Sequence, residues 1–275
     1  MTMGTDLAAS NSAASALAAA RIRVVRRARQ AIPQLALILG AAAAWEVAGR
    51  IPISPTFPTF LDTARVTVGM LLDGSLIVAL AVTLVPLAIG LVLSAVLGVA
   101  IGVAMGLDRR CEWLGLPLFI VLQAAPLAAL VPLIILAYGI GITTKVMIVC
   151  VMALPVIVLN SFKAVQHAPR SLIEMGCSFL GSQRQLIAKI ILPAAAPVIF
   201  AGLRLGVASG FVGAVLAELL VTPTGIGDII TYSQSVAAYP AMYGAIASVI
   251  IVSVAFMRVL EWAELRFFRP ERGTP

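Results

Sequence analysis

The chain has 275 residues, of which 61% are apolar and 11% charged, with a formal net charge of +7. That balance excludes a large soluble domain and points to an all-α integral membrane protein. The charges lie beside apolar runs, where the positive-inside rule accounts for them and no nucleic-acid partner is implied.

Residues 1–30 read as a disordered basic cytoplasmic tail, rich in Ala and Ser and closing on Arg21, Arg23, Arg26, Arg27 and Arg29. A transmembrane domain follows over 31–265, and a short cytoplasmic tail over 266–275. Spans are expected near 32–49, 76–106, 116–138, 143–162, 197–221 and 240–262, each close to or above the roughly 20 residues a helix needs to cross a bilayer. Six spans put both ends on one side. Arg109, Arg110, Lys163, Arg170, Arg184, Lys189, Arg266, Arg269 and Arg272 share the side of the amino-terminal arginines, against Arg50, Arg65 and Lys145 opposite, so the shared side is expected to be the cytoplasm.

Between the first two spans, closely spaced prolines precede an amphipathic run from Leu61 to Leu72, which predicts an interfacial helix on the outer face. Gly90, Gly98, Gly102 and Gly106 recur on one face of the second span, a pattern for close helix packing. Pro126, Pro132 and Pro155 are expected to interrupt spans three and four. Residues 163–196 then form a polar, basic loop between apolar runs. A short helix is predicted from Pro169, with Arg170 and Ser171 at its cap and Glu174 in its first turn, where a carboxylate suits the dipole. Gly176 and Gly181 would leave notches for another backbone, and Pro193 would end a second piece begun at Gln183.

The sequence resembles a known family at this loop. Glu174, Met175 and Gly176, then Ile190, Leu192 and Pro193, are similar to the "EAA" loop of inner-membrane permeases of ATP-binding-cassette importers. Met175 and Gly176 stand where the family has two alanines, and its glycine falls one place late, at Gly181, with Leu180 in the usual position. The run from Ala201 to Ile230 resembles the nitrate, sulfonate and taurine branch. The resemblance implies a type I importer permease fold of about six transmembrane helices with a cytoplasmic coupling helix. It also implies a bacterial inner-membrane location and a function as the path for a small solute, an anion of the nitrate, sulfonate or taurine type. The implied partners are a second permease copy, two cytoplasmic ATPase subunits and an external solute-binding protein, within membrane lipid. Contact with the ATPase would fall to Arg170, Leu172, Glu174, Met175, Gly176, Phe179, Leu180, Gly181, Arg184, Ile190, Leu192 and Pro193.

Few residues suggest chemistry. Glu46, Arg204 and Glu218 are ionisable groups inside spans, too scattered for an active site. Arg204 can snorkel from a span end, and Glu218 suits either helix capping or substrate contact. With Gln123, Asn160, Ser161 and Ser209, Glu218 makes up the candidate lining of a translocation path. His167 stands without a second histidine, and Cys111, Cys150 and Cys177 are odd in number and widely spaced. No metal site, cofactor site or catalytic residue is therefore expected. No phosphate-binding loop ending in Gly-Lys-Ser/Thr occurs, so ATP and Mg would be bound by the partner ATPase and this chain would not be an enzyme. Thr222 to Ile230, with Gly225, Gly227 and Asp228, reads as an outer turn leading into a helix. An ion-coupled secondary transporter is the alternative, but it should show acidic or broken-helix ion sites in inverted repeats.

Overall fold

The computed structural model describes Pro33 and residues 36–51, 56–220 and 224–268. The tail of residues 1–30, Arg269, Arg272 and the Thr222-Pro223 part of the outer turn lie outside the described residues. Two compact units divide the chain at residues 64 and 65. In the first, a helix over 36–50, α1, is joined by the turn before Thr59 to the start of α2 (Phe60–Leu72), whose remainder belongs to the second unit. Trp45 fastens the turn: its Nε1 donates to Pro58 O at 3.1 Å, and Phe57 and Phe60 lie 6.1 and 5.7 Å from its ring. Glu46 ties α1 to the start of α2, accepting from Arg50 at 2.8 Å and from Leu61 N–H at 3.0 Å. This membrane-depth carboxylate is thus a local clasp.

The second unit is a bundle around one helix. Four described segments are long and apolar enough to cross a membrane: α3 (Ser75–Leu107), α6 (Ile142–Gln166), the continuous stretch Gln183–Leu220 and α11, whose apolar part runs Tyr239–Arg266. Half of the most apolar window of α6 is buried against 17% for α11, so α6 is the centre and α11 the periphery. The glycine stripe of α3 packs closely on another helix, as its spacing predicts, and that helix is α6. A Cβ at Gly90 would come within 2.7 Å of Val149, at Gly98 within 2.8 Å of Ile157 and at Gly106 within 2.6 Å of Val165. From the other side, Gly206 of α9 (Leu192–Leu220) meets the same Ile157, and Gly202 meets Asn160.

The expected span 116–138 is not one helix. Its first part is α4 (Arg109–Ala124), then a 3-10 turn (Leu127–Leu130), then the short α5 (Val131–Tyr138). Pro126 explains the break: proline disfavours helical backbone in the residue before it, and Ala125 is extended at φ −65°, ψ 144°. Pro132 sits in the first turn of α5, where its missing N–H costs nothing. Pro155, by contrast, leaves α6 continuous. The start of α3 is fixed by Asp73, which accepts from the Ser75 hydroxyl at 2.7 Å and its N–H at 2.9 Å. These bonds hold the Asp73 carboxyl below its ordinary range.

A larger residue in the α3–α6 contact should therefore be felt. At Gly102 a Cβ would fall 2.6 Å from Ser161 Cβ and 3.0 Å from Phe162 N, whereas Gly69 on α2 has nothing within 4 Å. Gly102→Val is expected to lower stability by about 1–3 kcal/mol or more, and Gly69→Ala to leave it unchanged or slightly raised. Thermal unfolding in detergent micelles measures both, and equal midpoints would show that α3 does not seat on α6 in this way.

Candidate functional site: a rigid corner and a buried ion pair

Helix α6 ends at Gln166, and after three residues the chain enters α7 (Arg170–Ser178). Pro169 is the residue that starts α7, and no side chain caps it. Arg170 is its first residue, so Glu174 is the fifth and lies beyond the first turn. The expected dipole role of Glu174 and cap role of Arg170 and Ser171 are thereby corrected, because a start at Pro169 leaves the carboxylate one residue past the first turn and no side chain caps the helix. His167 closes α6, its Nδ1 lying 2.8 Å from Lys163 O.

The end of α7 is a Schellman turn. Gly181 N–H donates to Gly176 O at 3.1 Å and Leu180 N–H to Cys177 O at 2.9 Å, the two bonds that define this motif. Leu180 occupies its left-handed position at φ 55°. A residue other than glycine in that conformation costs ~1–3 kcal/mol. The next helix, α8 (Gln183–Leu186), opens on a full capping box: Gln185 N–H donates to Ser182 Oγ at 3.4 Å, and Ser182 N–H to Gln185 Oε1 at 2.9 Å. Phe179 to Ser182 thus form a corner whose backbone is bonded from both sides.

Its notches are filled from within. A Cβ at Gly176 would strike Leu186 and Ile190, each at 2.5 Å, and one at Gly181 would meet Gly176 O at 2.9 Å. The two glycines therefore let this chain fold tightly upon itself, which corrects the expectation that they receive another protein. Pro193 does not end the second piece either. A π turn (Ile187–Ile191), in which Leu192 N–H donates to Ile187 O, leads straight into α9, and the shifted register absorbs the N–H that Pro193 lacks. Left outside are the apolar Leu172, Met175, Phe179 and Leu180, with Arg170 and Arg184 also exposed. Ile190 and Leu192 are half-buried and support the corner from beneath.

A second polar cluster lies at the opposite ends of α6 and α9. Lys145 Nζ is 2.9 Å from Glu218 Oε1 and 2.9 Å from Thr224 Oγ1, and both charged side chains are buried. Thr83 Oγ1 of α3 donates to Glu218 Oε2 at 2.8 Å. The two oxygens also cap α10 (Ile226–Ser235): Ile226 N–H donates to Thr83 Oγ1 at 3.0 Å and Gly227 N–H to Glu218 Oε2 at 3.1 Å. Gly225, at φ 79°, and Gly227 allow the approach, since a Cβ at either would collide with Glu218. Lys145 escapes a reading of loop charges alone. The available signal was a lone lysine just inside one span and a lone glutamate near the matching end of another.

No hydrogen bond joins any two of the five candidate path residues. Gln123 is exposed on α4. Asn160 Nδ2 donates to Val156 O at 2.7 Å and Ser209 Oγ to Leu205 O at 3.1 Å, each within its own helix. Ser161 is fully buried with its hydroxyl unpartnered. Glu218 faces the ion pair and not an open path, because a carboxylate at this depth needs a cation and donors around it. Arg204 pairs with the buried Glu264 of α11 at 3.3 Å instead of snorkelling freely.

A helical bundle of apolar spans interrupted by a solvent-side corner is the architecture of a membrane permease component. Residues 94–269 match the family described as the binding-protein-dependent transport system inner membrane component, and the chain belongs to that family. The riboflavin transport system permease protein RibX of Chloroflexus aurantiacus is 33% identical over 138 residues, 50% of this chain and 52% of RibX. The taurine transport system permease protein TauC of Escherichia coli is 26% identical over 137 residues, half of each chain. This chain spans about half the length of the curated relatives it matches. Two structures of the MetNI methionine ABC transporter in inward-facing conformations share the fold, each at 19% identity. They have TM-scores of 0.54 and 0.55 and cover 68% and 74% of this chain and 92% and 96% of theirs.

Breaking the buried pair from one side should cost more than removing it altogether. Lys145→Met leaves a carboxylate without its cation, a loss of about 3–5 kcal/mol, and adding Glu218→Gln to it should recover part of that loss. Thermal unfolding of the single and double variants gives the coupling. Additive losses would mean that the two side chains do not depend on each other.

Proposed function

We propose that the chain is the permease subunit of an ATP-driven importer, working as a homodimer with two cytoplasmic ATPase subunits and an external solute-binding protein. The observation that carries the reading is the corner: a doubly bonded turn presenting apolar side chains between two arginines, with α6 entering it and α9 leaving it. Displacement of such a corner is passed to the two helices at the core of the bundle. ATP and Mg belong to the ATPase in this reading, both ends of the chain are cytoplasmic, and the side chains of this chain perform no bond chemistry. Charge asymmetry across the spans supports the orientation. A symmetric pair would enclose the path at its two-fold axis.

The cargo is a small organic anion of the sulfonate type, supported by the likeness to TauC over half of the chain. The likeness to RibX favours a flavin as a second reading. Vesicles holding the permease, its ATPase and its binding protein distinguish them. Uptake of taurine or an alkanesulfonate is expected only with internal ATP and the binding protein present. Accumulation without ATP would end the importer reading, and uptake of riboflavin with no sulfonate uptake would end only the anion assignment.

A further inference from the structure

We infer that Leu180 is a specificity-determining contact of the coupling corner, a fixed apolar knob that a partner ATPase must accommodate. The inference rests on the importer reading above and adds to it what the displaced glycine does. At 94% exposure Leu180 is the most exposed large apolar residue among those described. Lipid does not account for that, because Leu180 stands outside the apolar spans, beside Ser182, Gln183, Arg184 and Gln185.

Nor does the turn account for it. The two hydrogen bonds of the Schellman turn come from backbone atoms alone, and those of the capping box use Ser182 and Gln185, so neither involves the Leu180 side chain. The end of α10 repeats the same motif with Ala238 N–H on Ser233 O at 2.8 Å, Ala237 N–H on Gln234 O at 3.2 Å, and a small residue, Ala237, in the left-handed place at φ 57°. A leucine at position 180 is therefore strained by its backbone and unshielded in its side chain, although glycine would fit with neither penalty. Gly181 cannot take over the left-handed position, since its own place is fixed by the close approach to Gly176 O. The hydrogen bonds on both sides fix the backbone that carries the knob, so little backbone order has to be lost when it docks. The occupant to which this points is the ATPase: Leu180 tops the exposed group with Leu172, Met175 and Phe179, and the corner is the loop joining the two core helices. The ATPase should offer an apolar recess opposite Leu180, and an ATPase without that recess should be rejected.

The test uses full-length permease in nanodiscs and the ABC ATPase that co-purifies with the tagged wild-type chain, purified and titrated back. Leu180→Ala and Leu180→Gly are each expected to weaken ATPase binding about tenfold, and Leu180→Met to stay within about twofold of wild type. Leu180→Gly alone should also raise the unfolding midpoint, by about 2–4 °C, because it relieves the left-handed strain. Higher stability with weaker binding in one variant is an outcome that a merely structural role does not produce. Should Leu180→Ala and Leu180→Gly bind as the wild type does, this inference is wrong while the importer reading stands. Should no ABC ATPase associate with the wild-type chain, both fall together.

Discussion

Close contact between the backbones of α3, α6 and α9 is the constraint on which the rest of the structure depends. In a bilayer an apolar side chain gains little by leaving lipid for another helix, so association relies on dispersion across surfaces that fit. Here the fit is asymmetric. Glycines stand on α3 and α9, and the larger side chains of α6, Val149, Ile157 and Val165 among them, project into the spaces. Because Ile157 meets Gly98 on one side and Gly206 on the other, α6 is held in register against both neighbours at the same level. That register decides where its two ends lie, with Lys145 at one and the entry to α7 at the other.

The parts of this arrangement that depend on composition and spacing were legible in the sequence. The glycine stripe of α3 has a helical period, and the ends of the long apolar runs fall close to the ends of α3, α6 and α11. The loop could be placed because its polarity contrasts with its flanks. Features set by pairs of distant residues were not legible. Gly176 reads as an open notch until Leu186 and Ile190 are seen to fill it, and Pro193 reads as a stop because the π turn that accommodates it has no composition of its own. Pro126 and Pro155 look alike in the sequence. One breaks a helix at its weakly packed edge, whereas the other is buried in α6, where packing on two sides keeps the helix continuous.

The buried ion pair follows from a sequence of local needs more than from any gain in stability, which a charge pair in such a place does not reliably give. Helix α10 begins inside the bundle, and its first N–H groups have no partner in their own helix. Thr83 and Glu218 supply the acceptors. A carboxylate buried to that extent requires a cation, and Lys145 is the one within reach. Glycine at 225 and 227 is then obligatory, since any side chain there would occupy the space of the carboxylate. Each residue in the cluster is thus explained by the one before it.

The two polar sites are joined by helices whose irregularities fall at different distances from the corner. On the α9 side the chain leaves the corner through the π turn, where the backbone bonds are out of the α-helical register. On the α6 side the chain passes from α7 through three residues into unbroken helix, and it meets the glycine contacts at Val165 and Ile157 before any irregularity. Pro155, which removes one bond of the α6 ladder, lies beyond those contacts and towards Lys145. The first irregularity met from the corner therefore lies at once on the α9 side, in the π turn, and only at Pro155 on the α6 side. Pro155 divides the half of α6 nearest the corner from the end clamped by Glu218, and α3 seats against both halves, at Val165 and Ile157 on one side of the proline and at Val149 on the other. The one residue of α6 that lacks a backbone donor therefore lies between the corner and the ion pair that helps to cap α10.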